Sequence, residues 1–252
     1  MSVAISESRA LILAAGKGTR MKSDKPKAVM PLADKPMLVH VIESLVAAGV
    51  KHITIVVGYR QEDVRAVVPE IEGVSFDFAE QIEQKGTAHA VLSAEDNLKD
   101  HGGLLLVTNG DMPLIRSTTF REMLETHSGK GYSATVLSSE VDDPAGYGRL
   151  VRDEQGRLTH IVEEKDATDE IRKIKEVNSG TYVFQCPDVF DVIRRVGSDN
   201  KQNEYYLPDV VKLLRADGKE TGSLVMADSS EALGANSPEE LQHLEKLFNV
   251  RA

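Results

Sequence analysis

The sequence has no tryptophan, one cysteine, and aromatic residues at only 5% of its 252 positions. A lone thiol cannot close an intramolecular disulfide, so packing must hold the fold, as suits a reducing compartment. Cys186 precedes Pro187 with neither a histidine nor a second cysteine beside it, the setting of a packed structural thiol rather than a nucleophile. Long hydrophobic runs are also missing. Ala10 to Ala15 and Gly103 to Val107 fall far short of the ~20 apolar residues a membrane-spanning helix needs, and Met1 to Arg9 carries an acid and polar residues where a basic leader would stand. Neither export nor a membrane partner is expected, and the cytoplasm is the expected home. Positive charge is scarce too. Lys and Arg number 30 against 40 Asp and Glu, a net charge of −10, which argues against a nucleic-acid partner, since that requires a basic face to release counterions. The seven histidines show no metal-ligand spacing. Without an internal repeat, a low-complexity tract or a Pro/Gly-rich linker, one compact domain over residues 1–252 is expected.

What is present is an alternation. Apolar, β-prone runs at about Ala10 to Leu13, His52 to Val57, Val74 to Phe78 and Gly103 to Thr108 alternate with helical patterns at about Met37 to Ala48, Glu62 to Val68 and Thr87 to Asn97. That rhythm predicts an α/β fold built on a mainly parallel sheet with helices on both faces. After Ser138 it changes. "YGRLVRDEQGRLTHIVEE" reads as two strands around a polar turn and "EVNSGTYVFQ" as another, giving a strand-rich sub-lobe at roughly 139–186. Helical patterns return at about Pro187 to Val196, Pro208 to Arg215 and Pro238 to Phe248.

Against the acidic background, Lys17, Arg20, Lys22, Lys25 and Lys27 gather directly behind the first strand, in "ALILAAGKGTRMKSDKPK". A glycine turn at the carboxyl end of a parallel strand lets the backbone approach a phosphate closely. This one matches neither a Walker loop nor a dinucleotide fingerprint, whose third glycine is replaced by Met21. The alternative is a tight βα turn followed by solvated cations. In "DFAEQIEQKGTAHAV", Gln81 carries donor and acceptor on one planar amide suited to a base edge, Gly86 reads as a turn and Thr87 as an N-cap. "LLLVTNGDMPL" runs a strand into Asn109, Gly110 and Asp111, where a carboxylate at the strand tip can hold Mg²⁺ against phosphate oxygens or simply close an Asx turn.

Taken in order, "LAAGKGTRM", "PK", "QKGTAHA", "GYGR", "IVEEKDATDE" and "NEYYLPD" resemble the sugar-phosphate nucleotidyltransferases, and among them the bacterial N-acetylglucosamine-1-phosphate uridyltransferases. The resemblance implies a Rossmann-like mixed sheet with a strand-rich sugar-binding sub-lobe. It also implies Mg²⁺-dependent transfer of a uridylyl group from UTP to N-acetylglucosamine 1-phosphate, a step in cell-wall precursor synthesis that releases UDP-N-acetylglucosamine and pyrophosphate. It assigns Leu13, Ala14, Ala15 and Gly16 to backbone contacts with the nucleotide, Gln81, Gly86 and Thr87 to uracil, and Asn109 and Gly110 to the same site. Asn109 stands where some members carry tyrosine. Arg20 and Lys27 would bind phosphates, Asp111 and Asn236 would hold the metal, and Gly148, Glu163 and Asn178 would recognise the sugar. Bifunctional members continue into a β-helix of hexapeptide repeats that carries an acetyltransferase and builds their trimer. No such repeat occurs in these residues, so a natural uridyltransferase or an excised domain is expected, with neither acetyltransfer nor that trimer assigned. A nucleotidyltransferase for another sugar 1-phosphate or base, and a non-catalytic nucleotide-sugar-binding module, are the alternatives.

Overall fold

A computed structural model describes residues 5–18, 21 and 23–251. In chain order the elements begin with β1 (Arg9–Leu13), the two-residue strands β2 (Pro31–Leu32) and β3 (Lys35–Pro36), and α1 (Met37–Ala48). Next come β4 (His52–Val57), α2 (Gln61–Arg65), β5 (Ser75–Glu80), α3 (Thr87–Leu92), α4 (Glu95–Leu98), β6 (Leu104–Asn109), α5 (Ser117–Lys130) and β7 (Ala134–Glu140). The chain continues through β8 (Arg149–Arg152), β9 (Leu158–Val162), α6 (Asp169–Arg172), β10 (Glu176–Gln185), α7 (Asp188–Ile193), α8 (Asp209–Ala216), β11 (Thr221–Val225) and α9 (Pro238–Arg251).

The main sheet has the order β11-β7-β10-β6-β1-β4-β5, with the β8–β9 hairpin attached through β10. β1 lies parallel to both β4 and β6, and β4 to β5, so these strands all end on one edge. Each reads as a nearly continuous apolar run where it is covered on both sides, as Leu104 to Thr108 and Ile53 to Val57 are. One face packs on α1 and α5 through Leu38, Leu45, Phe120 and Leu124, and the other on α3, α7 and α8 through Val91, Phe190 and Val211. A smaller cluster seats α9 through Leu244 against Leu32, Met37 and Leu114. No helix among the described residues is long and apolar enough to cross a membrane.

The architecture is the expected mixed, mainly parallel sheet flanked by helices, with local differences. α1, β4 and β10 span the residues read from the sequence. The helical stretch from Thr87 breaks into α3 and α4 at Ser93 and Ala94, where the Ser93 hydroxyl donates to the His89 carbonyl at 2.9 Å. Six elements had no counterpart in the sequence reading: the short β2, β3 and α6, and the longer α5, β7 and β11. α5 buries only Phe120, Met123, Leu124 and His127, a narrow helical stripe within polar sequence. β10 is antiparallel to both β6 and β7 and lies between them, so its first residues, not its last, reach the edge where β1, β4 and β6 end.

Candidate active site

The cleft opens along that edge. After β1 the chain turns through Ala14 to Gly18, held by Ala14 N–H donating to Val56 O at 2.9 Å and Gly110 N–H to Leu13 O at 3.0 Å. The Ala15 carbonyl accepts from Tyr59 N at 3.1 Å and from the Gln84 side-chain amide at 2.8 Å. Gly18 has φ +64°, and a Cβ there would fall 2.8 Å from Lys27 Cβ, so only glycine lets the turn close onto Lys27. The result is a cavity of about 360 Å³ lined by Leu13, Ala14, Ala15, Gly16, Lys27, Gln81, Gly86, Thr87, Asn109 and Asp111. Gly110 sits behind this lining, where a Cβ would be 3.2 Å from Ala28 Cβ and 3.4 Å from Ala14 Cβ. Arg20, expected to bind phosphate, lies outside the described residues.

One end of the cavity is built from amides. Gln81, 4% exposed, donates from Nε2 to the Gly86 carbonyl at 3.1 Å and lies 3.1 Å from His89 Nδ1. Thr87 is the first residue of α3 and not its N-cap, a place taken by Gly86 at φ +113°. The Thr87 hydroxyl instead accepts from Leu207 N–H at 3.0 Å, and Tyr205 exchanges backbone bonds with Lys85 and Ala88. These bonds tie residues 85–88 to the segment before α8. A Cβ on Gly86 would come within 2.5 Å of the Tyr205 carbonyl, which is why the crossing requires glycine.

The other end is charged. The Lys27 ammonium pairs with the Asp111 carboxylate and donates to Asn236 Oδ1 at 2.7 Å, joining positions 209 residues apart. Glu240 orients Asn236, accepting from its backbone N–H at 2.7 Å and its Nδ2 at 3.1 Å. Two hard oxygen donors, a carboxylate and an amide carbonyl, therefore already converge on one positive centre, the chemistry a Mg²⁺ ion also selects. Among the described residues no group of three or more His, Cys, Asp or Glu could hold a metal. A cation at Asp111 and Asn236 would thus take its remaining ligands from phosphate and water, as Mg²⁺ commonly does.

A second hollow of about 210 Å³ shares Leu13, Thr87 and Asn109 with the first and is lined further by Gly148, Glu163 and Asn178. Antiparallel β10 is what brings it there. Its ladder with β7 slips between Asn178 and Thr181, and Gly180, at φ +79°, lies against the Asn109 amide. Asn178 is spoken for at both ends of its amide, donating to the Tyr182 hydroxyl at 2.7 Å and accepting from Gly180 N–H at 3.0 Å. A Cβ on Gly148 would lie 2.9 Å from Glu163 Oε1, so the glycine makes room for that carboxyl. Burial, reinforced by Asp209, Asp166 and Glu204 and opposed by Arg149, pushes Glu163 up to about 7. Arg149, 1% exposed, is anchored by Glu164 Oε2 at 2.7 Å.

Every described residue picked from the sequence thus falls on one sheet edge, in or directly behind two adjoining hollows, except that Asn236 arrives from beyond β11 through its bond to Lys27. Gln84 and Glu204 were missed, yet both line the first cavity. Gln84 follows Gln81 by one turn of loop in "EQIEQKG", and that spacing was its only signal; Glu204 reads as a helix start.

The nucleotidyl transferase family model matches residues 9–232. Among curated relatives, the bifunctional protein GlmU of Oceanobacillus iheyensis is 44% identical over 242 residues, covering 96% of this chain and 52% of that protein. GlmU of Caldanaerobacter subterraneus is 44% identical over 241 residues, covering 96% and 51%. The chain spans about half the length of the curated relatives it matches. Among solved structures, UDP-glucose pyrophosphorylase complexed with UDP-glucose superposes with a TM-score of 0.77 at 21% identity, covering 97% of this chain and 99% of that one, a likeness of fold. A match that runs from β1 to the turn after β11, with relatives above 40% identity across nearly the whole chain, makes this protein an enzyme of the nucleotidyl transferase family.

Proposed function

We propose that the enzyme transfers the uridylyl group of UTP to N-acetylglucosamine 1-phosphate, releasing UDP-N-acetylglucosamine and pyrophosphate, in the cytoplasm. The observation that carries this reading is the joining of the two hollows through Leu13, Thr87 and Asn109, with the Lys27 and Asp111 charges beside the first. A nucleotide in the first hollow and a sugar phosphate in the second would meet at their phosphates.

The base end favours a particular edge. The Gln81 nitrogen faces the Gly86 carbonyl, which can only accept, so that side of the amide must be the NH₂. Its Oε1 makes no hydrogen bond among the described residues and is an acceptor suited to the N3–H of uracil. Cytosine and adenine present an acceptor at the equivalent ring nitrogen and would be disfavoured. In the sugar hollow, the Glu163 carboxyl is neutral below about pH 7 and can donate to a sugar oxygen.

In the reaction an oxygen of the sugar phosphate forms a bond to the α-phosphorus of UTP, while the bond from that phosphorus to the bridging oxygen breaks. Its electron pair leaves with pyrophosphate. The second pKa of a phosphate monoester is near ~6, so at neutral pH the acceptor is largely dianionic and needs no dedicated base. The task is to bring two anions together in line and to neutralise the charge that grows on the leaving group. Mg²⁺ held by Asp111 and Asn236 would supply further charge neutralisation when bound. Lys27, released from Asp111 as phosphate enters, would face the phosphates together with Arg20, and Leu13 to Gly16 would offer backbone groups.

The test is pyrophosphate release across a matrix of UTP, CTP, GTP and dTTP against several sugar 1-phosphates. Highest kcat/KM for UTP with N-acetylglucosamine 1-phosphate is expected; a different best pair rejects the assignment. Asp111→Ala and Lys27→Ala are expected to remain folded and to lose roughly a hundredfold or more in rate, the scale of removing one preorganised contact to a transition state. Full activity of either variant with Mg²⁺ and both substrates contradicts its role.

A further inference from the structure

His89 has no part in the reading above, yet it touches the side chain that reads the base. We infer that His89 is a specificity-determining positioning residue: it locks the Gln81 amide in the one orientation that presents an acceptor to the nucleobase. The inference rests on the proposed role of Gln81 in base recognition.

Gln81 Nε2 carries two hydrogens. One goes to the Gly86 carbonyl at 3.1 Å, and the other points to His89 Nδ1, also at 3.1 Å. With the amide nitrogen as donor, Nδ1 must be the unprotonated, accepting nitrogen of the imidazole. The Gly86 carbonyl, which cannot change its role, sets the orientation, and His89 in the accepting tautomer adds a second bond that holds the amide there. The rest of the surroundings is rigid. Gln81 N–H is bound to Val57 O at 2.8 Å, the side chain is 4% exposed, and Gly86 is pressed against the Tyr205 backbone. His89 itself is the third residue of α3, partly buried, and lines a further hollow with Lys85, Leu92, Arg194 and Tyr205.

A rotated amide would place Oε1 toward His89 and Gly86 and offer NH₂ to the base. That arrangement suits cytosine, whose N3 accepts, and misfits uracil, whose N3 donates. Removing His89 takes away one of the two hydrogen bonds that hold the amide in place, since a rotated Oε1 would be met by His89 only after a change of tautomer. The consequence is a change in the ratio of kcat/KM for UTP to that for CTP, carried by KM for UTP, while kcat at saturating UTP is little altered because Gln81 follows β5 and Asp111 follows β6, with β4 and β1 between them.

The experiment compares the parent enzyme, His89→Ala, His89→Leu and His89→Asn with UTP and CTP at a fixed sugar 1-phosphate. Asparagine can set its Oδ1 where Nδ1 stood and accept the same hydrogen. His89→Ala and His89→Leu are expected to lower the UTP:CTP ratio about tenfold, the scale of one hydrogen bond, with His89→Asn restoring most of it. A ratio unchanged in both apolar variants, or lowered equally in His89→Asn, overturns the inference. Partial unfolding removes active enzyme for both nucleotides alike and leaves the ratio at the parent value, so a stability effect is not mistaken for support. If the parent enzyme itself shows no preference for UTP over CTP, base reading by Gln81 is what fails, which separates that outcome from the failure of His89 alone.

Discussion

Glu163 shows how a single residue takes its chemistry from groups the sequence keeps apart. Its ordinary value of 4.5 is pushed up to about 7 by burial, then by Asp209, Asp166 and Glu204. In the unfolded chain the carboxyl ionises at the lower value and in the folded protein at the higher one, so the fold binds the proton more tightly. Its favourable contribution is complete below about pH 4.5 and is lost as pH rises through 7. Glu163→Gln, which needs no proton to stay neutral, is therefore expected to be more stable than the parent at pH 8 by ~2 kcal/mol, the shift discounted for partial exposure, with the gain closing toward pH 5. Equal melting temperatures at pH 8 would contradict the assigned cause. The residue was legible in the sequence as part of "HIVEEKDA". Its displaced ionisation was not, because Asp209 and Glu204 lie more than 40 positions downstream and meet it only through the packing of α8 against β9.

At the scale of elements, the glycine turns were legible for the reason that they are obligatory. Gly86 combines φ +113° with a Cβ position 2.5 Å from the Tyr205 carbonyl, so Gly86→Ala must strain the backbone and push residues 85–87 away from Tyr205. A loss on the order of 2 kcal/mol in denaturant unfolding is expected, together with a raised KM for UTP, since the Gly86 carbonyl anchors Gln81. Gly16 is the contrast. A Cβ there meets nothing within 4 Å, so Gly16→Ala is expected to leave stability within about 0.5 kcal/mol of the parent and to act on nucleotide affinity alone. Equal destabilisation by both would contradict the steric account. The N-cap at Thr87 was misread because its hydroxyl, well suited to capping, is drawn to Leu207 N–H by tertiary contact. α5, β7 and β11 escaped notice because polar residues interrupt each: the α5 stripe is four residues wide, and buried Ser138 and Ser139 interrupt the apolar pattern of β7.

For the whole molecule, the decisive feature is the direction of β10. A further parallel strand at that position would bring Gln185, not Gly180, beside the carboxyl end of β6; the antiparallel strand delivers Asn178 and Gly180 to Asn109 and sets the two hollows side by side. The βαβ rhythm of the first half announced the edge along which the two hollows open, but local sequence does not encode which way a distant strand runs. The same geometry answers the charge pattern. A chain of net charge −10 repels nucleotide phosphates at large, and Lys27, already partnered by Asp111, is the described cation it keeps in the lining of the first cavity. The most direct test of the account is phosphorus NMR of the wild-type enzyme with Mg²⁺, UTP and N-acetylglucosamine 1-phosphate carrying a heavy-oxygen label in its phosphate. The account predicts a labelled UDP-N-acetylglucosamine and unlabelled pyrophosphate in equal amounts, both formed roughly a hundredfold or more slowly by Asp111→Ala; no UDP-sugar, or label in the pyrophosphate, would contradict it.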